Sequence, residues 1–229
     1  MKKRPYVICH MGPSVDGRIV VDDWKVSSKL LPEYERTARA LRGDAWMIGR
    51  VSMEPYAGKA KVPKRAKGSP AIPRTDFVAP HAARTYVVAL DPSGKLGWTK
   101  SDVDGEHVVS VLTEGVSDDY LAFLRAKGVS YVFGGKKDVD LRRVLEKLAA
   151  RFGIRRLLLE GGGKINGSFL AADLIDELSL LVIPVADGTV GTPSLFDAPA
   201  GKRSMRPLRL ISVRKAAADM VWLRYAVRR

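Results

Sequence analysis

A carboxylate followed by three glycines and a lysine, Glu160-Gly161-Gly162-Gly163-Lys164, is the run whose residue types point most directly to chemistry. Without a Cβ, successive glycines let the backbone turn sharply and approach a bound group closely. Leu157, Leu158 and Leu159 precede them and read as a short strand buried on both faces. Residues 164–172 follow, with Ile165, Phe169 and Ala172 at helical spacing on one face. A strand, a glycine turn and a helix start present free backbone N–H groups and the positive end of a helix dipole to an anion. Lys164 adds a full charge in the first turn, so the ligand this run fits is a phosphate or pyrophosphate. Gly161, Gly162, Gly163, Lys164 and Ile165 are the residues that would cradle it. The run matches neither G-x-G-x-x-G nor G-x-x-x-x-G-K-[ST], and a tight connection without a ligand would use the same residues. Glu160 favours the functional reading, because a carboxylate at the C-terminal end of a parallel strand lies where open α/β sheets bind ligands.

These residues need a scaffold, and the hydrophobic pattern supplies one. Residues 6–11 are a buried strand that leads into a turn-rich stretch, Gly12-Pro13-Ser14-Val15-Asp16-Gly17. Ser27 or Ser28 stands where it can cap the helix expected over 32–42, with Tyr34, Ala38 and Leu41 on its inner face and Glu33 off it. Strands are expected over 44–49, 85–90, 107–112, 129–134 and 157–159, and amphipathic helices over 117–127 and 138–152. This alternation favours a largely parallel sheet with right-handed crossovers. Strands over 177–185, 208–213 and 220–227 end the chain, the last two close enough to form an antiparallel hairpin at a sheet edge. Asp91-Pro92-Ser93-Gly94 reads as a type I turn. Residues 57–83 are a basic, proline-rich loop, too long for a bare connection and thus a candidate lid.

Composition narrows the class. A chain of 229 residues with 46% hydrophobic and 28% charged residues has the balance of a globular protein, long enough for a substantial core. Neither an internal repeat nor a linker is visible, so residues 1–229 read as a single domain. A lone cysteine, Cys9, excludes an internal disulfide and a cysteine-rich metal site, and no metal is expected. No apolar run reaches the ~18 residues of a membrane span, and Met-Lys-Lys-Arg-Pro leads straight into the first strand, which points to the cytoplasm. The net charge of +14 suits either nucleic acid or small phosphorylated ligands. The basic residues are scattered and no recognition motif accompanies them, so specific nucleic-acid binding is not expected.

Several of these stretches together resemble a known family. Glu160-Gly161-Gly162-Gly163, Gly167-Ser168-Phe169-Leu170, Leu174-Ile175-Asp176-Glu177-Leu178 and Pro184 with Gly188 are similar to the reductase domain of the riboflavin-biosynthesis deaminase/reductase. The resemblance implies a dihydrofolate-reductase-like α/β fold, with a largely parallel central sheet flanked by helices and a C-terminal antiparallel hairpin. It implies a homodimer and NADPH as cofactor, its pyrophosphate on residues 161–165. Asp44-Ala45-Trp46-Met47-Ile48-Gly49-Arg50-Val51-Ser52 and Leu90-Asp91-Pro92-Ser93-Gly94-Lys95 resemble the family's remaining nucleotide elements. Gly49, Arg50, Ser52 and Ser93 are thereby assigned to the cofactor, with Lys95 beside Ser93 for the 2′-phosphate. Asp16, Ser27, Arg42, Glu54 and Glu160 are assigned to the substrate, a small phosphorylated aminopyrimidine of the 5-amino-6-(5-phosphoribosylamino)uracil type. Met53-Glu54-Pro55 departs from the family's Asp-Asp-Pro. No His-x-Glu with Pro-Cys-x-x-Cys is present, so a zinc deaminase half is absent, and no residue stands out as the general acid. A dihydrofolate or pterin reductase is the neighbouring alternative. A phosphate-ligand or nucleic-acid binding protein without catalysis is the alternative from another class, against which Glu160 and the Asp16 loop weigh.

The charge distribution makes a testable statement. Affinity for random duplex DNA should be weak and should fall steeply with salt, vanishing near ~200 mM. A filter-binding or anisotropy titration checks this, and sequence-selective binding that survives that salt would overturn it.

Overall fold

Tyr6–Met11 forms β1, buried along almost its whole length, and the chain divides into two compact units interleaved in sequence. The computed structural model describes residues 4–198 and 205–228; Met1, Lys2 and Lys3, on which the reading of the N-terminus partly rests, lie outside them.

One unit takes Tyr6–Gly43 and the chain from Arg156 onward. It holds β1, α1 (Leu30–Leu41), β7 (Arg156–Leu159), α5 (Gly163–Ala171), β8 (Glu177–Val182), β9 (Leu208–Lys215) and β10 (Val221–Val227). β1 lies between β7 and β8, parallel to both, and β8, β10 and β9 follow as an antiparallel set with β9 at the edge. Leu157, Leu159, Val7 and Cys9 are fully buried, as strands covered on both faces require.

The other unit spans Asp44–Arg155. It holds β2 (Ala45–Gly49), α2 (Arg50–Ala57), β3 (Tyr86–Leu90), β4 (Asp102–Val103), β5 (Glu106–Thr113), α3 (Asp118–Ala126), β6 (Ser130–Gly135) and α4 (Leu141–Phe152). β2, β3, β5 and β6 are parallel neighbours in that order, while the short β4 pairs antiparallel with the start of β5. Val87, Ala89, Val108, Leu112, Leu121, Leu124 and Tyr131 form its apolar core. The valines and leucines among them contribute roughly 1.5–3 kcal/mol each on burial. The mostly parallel α/β architecture with an antiparallel C-terminal hairpin is the one expected from the sequence.

Three features differ from the sequence reading. α2 was not legible, because Pro55 lies inside it and removes a helix donor. Glu33 is buried rather than outward, since Arg36 caps its charge with two hydrogen bonds of 2.9 and 2.7 Å and the N–H of Ala217 donates a third. The loop over 57–83 is a strap rather than a free lid. Asp118 at the start of α3 accepts from Arg65, Arg74 and the N–H of Ile72. Phe77 bridges Tyr131 of β6 antiparallel, and Ala79 N–H donates to Ser130 Oγ. The strap thereby covers a strand that would otherwise expose an unpaired edge.

One polar side chain lies next to the C-terminal end of β1. His10 is fully buried and stacked on Tyr34 of α1 at 4.4 Å between ring centroids. Its Nδ1 is 3.1 Å from both Ser179 O and Ser179 Oγ, and its Nε2 is 3.3 Å from Thr37 Oγ1. Trp222 Nε1 donates to the same Ser179 hydroxyl at 2.8 Å. Burial disfavours the imidazolium and pushes the His10 pKa down to about 4. Between pH 6.5 and about 4 the unfolded chain therefore takes up a proton that the folded chain refuses.

Stability should be level above pH ~7 and fall by about 1.4 kcal/mol per pH unit through His10 between these values. His107, fully buried at β5 and likewise pushed down to about 4, adds its own share. Denaturant unfolding against pH checks this: His10→Gln should be less stable at pH 7 and have a shallower slope, and an unchanged slope would remove His10 from the account.

Candidate active site

In the unit built on β1, the C-terminal ends of β1 and β7 are neighbours, Cys9 pairing with Leu159. The chain leaves β7 through Glu160, half-buried, and turns through Gly161, Gly162 and Gly163 into α5. The Gly161–Gly162 peptide is cis, and Gly161 has φ +95°, a conformation that favours glycine.

The three glycines are not equivalent. A Cβ on Gly163 would run into the backbone oxygen of Ser194 and the carboxylate of Asp197, and one on Gly161 would meet Met11 Cε at 2.9 Å. A Cβ on Gly162 would meet only Ile19 Cδ1, at an ordinary 3.9 Å. Gly161 and Gly163 thus answer to the protein's own packing, whereas Gly162 faces open space. Gly162 is also the N-cap of α5, and no side chain caps the helix. The N–H groups of Gly163 and Lys164 therefore lack intrahelical partners and point outward with the positive end of the dipole. Lys164 is exposed beside them. Such a helix start can hold an anion on backbone donors.

Two loops wall it. Residues 14–19 follow β1, and residues 183–198 follow β8. Arg18 bridges Ser194 antiparallel, Leu195 N–H donates to Gly17 O at 2.9 Å, and Ile19 N–H to Pro193 O at 3.3 Å. Asp197 N–H donates to Gly163 O at 3.0 Å, while the Asp197 carboxylate accepts from the Ser194 hydroxyl at 2.7 Å. Asn166 is fully buried beneath the turn and donates from Nδ2 to Leu195 O at 3.1 Å, leaving its Oδ1 buried and unpartnered.

The substrate-side residues of this unit have separate fates. Asp16 is exposed, yet its carboxylate accepts from the N–H of Asp187 (2.9 Å), the Ser14 hydroxyl (2.7 Å) and the N–H of Gly188 (2.9 Å). Those bonds hold its pKa far below the usual carboxylate range. Asp16 is a staple between the two walls. Ser27 accepts from Lys29 N–H at 3.2 Å at the start of α1 and is exposed. Arg42 is the left-handed C-cap of α1. Arg156, which opens β7, donates to Leu41 O, so Arg42 follows a residue at the opposite end of β7 from Glu160.

In the other unit, Gly49 pairs with Leu90, so the ends of β2 and β3 are adjacent. Gly49 caps α2 without a side chain, followed by Arg50 and the exposed Ser52. Arg50 forms an ion pair with Glu54 one turn on, both half-buried. The turn after β3 presents Ser93 and Lys95, both exposed. Gly49, Arg50, Ser52, Ser93 and Lys95 are therefore gathered at one edge, at the C-terminal ends of parallel strands, as phosphate-binding α/β edges require. Asn166, Asp197 and Ser194 were not singled out from the sequence. A Ser-x-x-Asp after the glycine-rich 188–191 segment was the available signal.

Comparison with known proteins adds the family. Residues 5–222 match the RibD C-terminal domain family. The 2,5-diamino-6-ribosylamino-4(3H)-pyrimidinone 5′-phosphate reductase of Methanothermobacter thermautotrophicus is 30% identical over 85% of this chain and 84% of its own length. The protein of the same name from Aquifex aeolicus is 26% identical over 91% of this chain and 89% of its own. In fold, the chain is similar to a pyrimidine reductase-like protein from Corynebacterium diphtheriae, with TM-score 0.70 and 18% identity over 98% of this chain and 92% of the other.

The packing around the glycines makes an internal control possible. Gly162→Val should fold with little loss of stability yet bind pyrophosphate-bearing ligands at least a hundredfold more weakly, because its side chain fills the cradle. Gly163→Ala should be destabilised by about 2 kcal/mol or more through backbone overlap. Calorimetric titration and thermal melts of both variants decide, and a Gly162→Val protein with unchanged ligand affinity would sink the cradle.

Proposed function

We infer the activity from one premise: the chain belongs to the RibD C-terminal domain family, and its sequence relatives are reductases. The chain is accordingly an oxidoreductase. We propose that it is NADPH-dependent and reduces a phosphorylated ribosylamino-pyrimidine of riboflavin biosynthesis. The uracil-type substrate expected from the sequence and the diamino-pyrimidinone in the relatives' names differ at one ring substituent, and the relatives favour the latter.

The observation that carries the proposal is the open cradle at Gly162 on an uncapped helix start. Its donors fit a pyrophosphate, with Gly162 leaving the approach to them open. Gly161, Gly162, Gly163, Lys164 and Ile165 would hold the pyrophosphate of NADPH. Gly49, Arg50, Ser52, Ser93 and Lys95 would hold the rest of the nucleotide, with Glu54 keeping Arg50 in place through their ion pair. When bound, the nicotinamide supplies hydride. The chain's part is to orient the two reactants and to exclude water between the walls at 14–19 and 183–198. Glu160, at the end of β7, is the carboxylate placed to accept a hydrogen bond from the substrate, with Ser27 as a hydroxyl for its phosphate. Asp16 and Arg42 serve the scaffold.

We further propose a single reductase domain acting in the cytoplasm as a homodimer. β9 supports the dimer: it is an edge strand that exposes Leu208, Leu210, Ile211 and Val213, a surface a second copy would cover. Among the described residues, no helix is long and apolar enough to cross a membrane.

Loss of NADPH absorbance on incubation with the diamino-pyrimidinone phosphate, its deaminated uracil analogue and dihydrofolate tests substrate class. Turnover is expected with the first two, and activity on dihydrofolate alone would overturn the reading. NADPH should exceed NADH in kcat/KM by at least tenfold. Equal use of both cofactors, or an unchanged ratio in Lys95→Ala, would show Lys95 to be an ordinary surface lysine.

A further inference from the structure

The turn that carries Ser93 and Lys95 has a foundation that neither the sequence pattern nor the family comparison assigns. Asp91, at the end of β3, is fully buried. One of its carboxylate oxygens, Oδ2, accepts from the N–H of Lys95 at 2.7 Å, the N–H of Leu96 at 2.9 Å and the phenol of Tyr120 on α3 at 3.0 Å. The Tyr120 hydroxyl is also 2.9 Å from Leu96 O. Burial, with the Asp91 charge next in order, pushes the phenol's pKa well above its ordinary value, so it stays a donor.

The same tyrosine fixes the turn sterically. Gly94 has φ +66°, and a Cβ there would lie 2.6 Å from Tyr120 Cδ1. The opposite side is fixed from β5, where Thr113 donates to Pro92 O from its hydroxyl at 2.8 Å and from its N–H at 3.0 Å. Ala60 N–H donates to Lys95 O at 2.9 Å, tying the turn to the chain that leaves α2. The backbone of residues 91–96 is thus held from below at nearly every residue, while the side chains of Ser93 and Lys95 are exposed.

Burying a carboxylate costs several kcal/mol, and at Asp91 the offset comes from bonds that fix the turn: Oδ2 accepts three, while Oδ1 is buried without a partner. We propose that Tyr120, acting through Asp91, is a positioning residue for the cofactor's 2′-phosphate: it locks the turn so that Ser93 and Lys95 meet that phosphate without an ordering cost. This rests on the proposed role of the turn in NADPH binding, and it adds a determinant of NADPH over NADH outside any contact with the cofactor.

The test separates positioning from the turn's role itself. Binding of adenosine 2′,5′-bisphosphate and of adenosine 5′-phosphate is measured by calorimetry for the native chain, Lys95→Ala, Tyr120→Phe and Thr113→Val. Tyr120→Phe removes the donor while keeping the ring against Gly94. Thr113→Val loosens the turn from the other side and keeps the test open if Tyr120→Phe fails to fold. Native protein should prefer the bisphosphate at least tenfold. Lys95→Ala should abolish the preference, and Tyr120→Phe and Thr113→Val should cut it severalfold, with little change in binding of the monophosphate. A role in stability alone would lower the melting temperature and leave the preference intact, which would overturn the proposal. If Lys95→Ala also leaves the preference intact, the turn is no 2′-phosphate site and the positioning role falls with it.

Discussion

The candidate site of the β1 unit depends on one close approach, that of residues 194–197 to the first turn of α5. The backbone of Ser194 and the carboxylate of Asp197 lie where a side chain at Gly163 would be, and the backbone of Asp197 and Ala198 where one at Gly167 would be. Two glycines four apart make one face of the helix start bare, and a neighbouring segment fills that face down to backbone contact. The Asp197 N–H bond to Gly163 O and the Asn166 bond to Leu195 O follow from this proximity. Only because that side is filled by the chain itself does Gly162 present its open side elsewhere, and only there is the helix dipole available to a ligand. Overpacking at Gly163 would be felt through the whole wall, whereas a change at Gly162 would be felt by what binds.

Much of this is legible in the amino-acid sequence. Long apolar runs such as Tyr6–Met11 and the leucines of β7 carry an unambiguous strand signal, because parallel strands are buried on both faces. The glycine turn was legible through its composition, since three glycines directly after an apolar strand mark a place where the chain can bend sharply. What was not legible depended on contacts distant in sequence. Glu33 reads as a surface residue on any helical wheel, and only Arg36 and the N–H of Ala217 make its burial affordable. Pro55 masked α2, and the strap over 57–83 looked free because Asp118, which fastens it, lies more than forty positions on from Arg74. Asn166 is an unremarkable helix residue until the segment at 195 arrives over it.

The imbalance of 39 basic to 25 acidic residues looks different once the acids are located. Asp16 accepts from the N–H groups of Asp187 and Gly188, Asp91 from those of Lys95 and Leu96, and Asp76 from that of Phe133. Asp176 accepts from the N–H of Val7, and Asp44 from that of Arg155. In each case a carboxylate fastens a loop or a strand end to backbone, and Asp76 in addition takes Lys147 Nζ at 2.7 Å. Charge-assisted bonds of this kind are about twice as strong as neutral ones, so a handful suffices to hold long connections without secondary structure.

That use of acids has an electrostatic consequence. A carboxylate bonded to several N–H groups has its charge screened at short range by their dipoles, so it opposes an approaching anion less than a free one would. Many of the described lysines, by contrast, are exposed: Lys59, Lys61, Lys64, Lys67, Lys95 and Lys164 all lie open to solvent. The resulting field is positive around turns whose backbones are already rigid. Such a surface raises the local concentration of small phosphorylated molecules at low ionic strength, while binding strength is left to the few groups that the staples hold in register. In the proposed function, scattered charge would do the steering and fixed backbone the recognising.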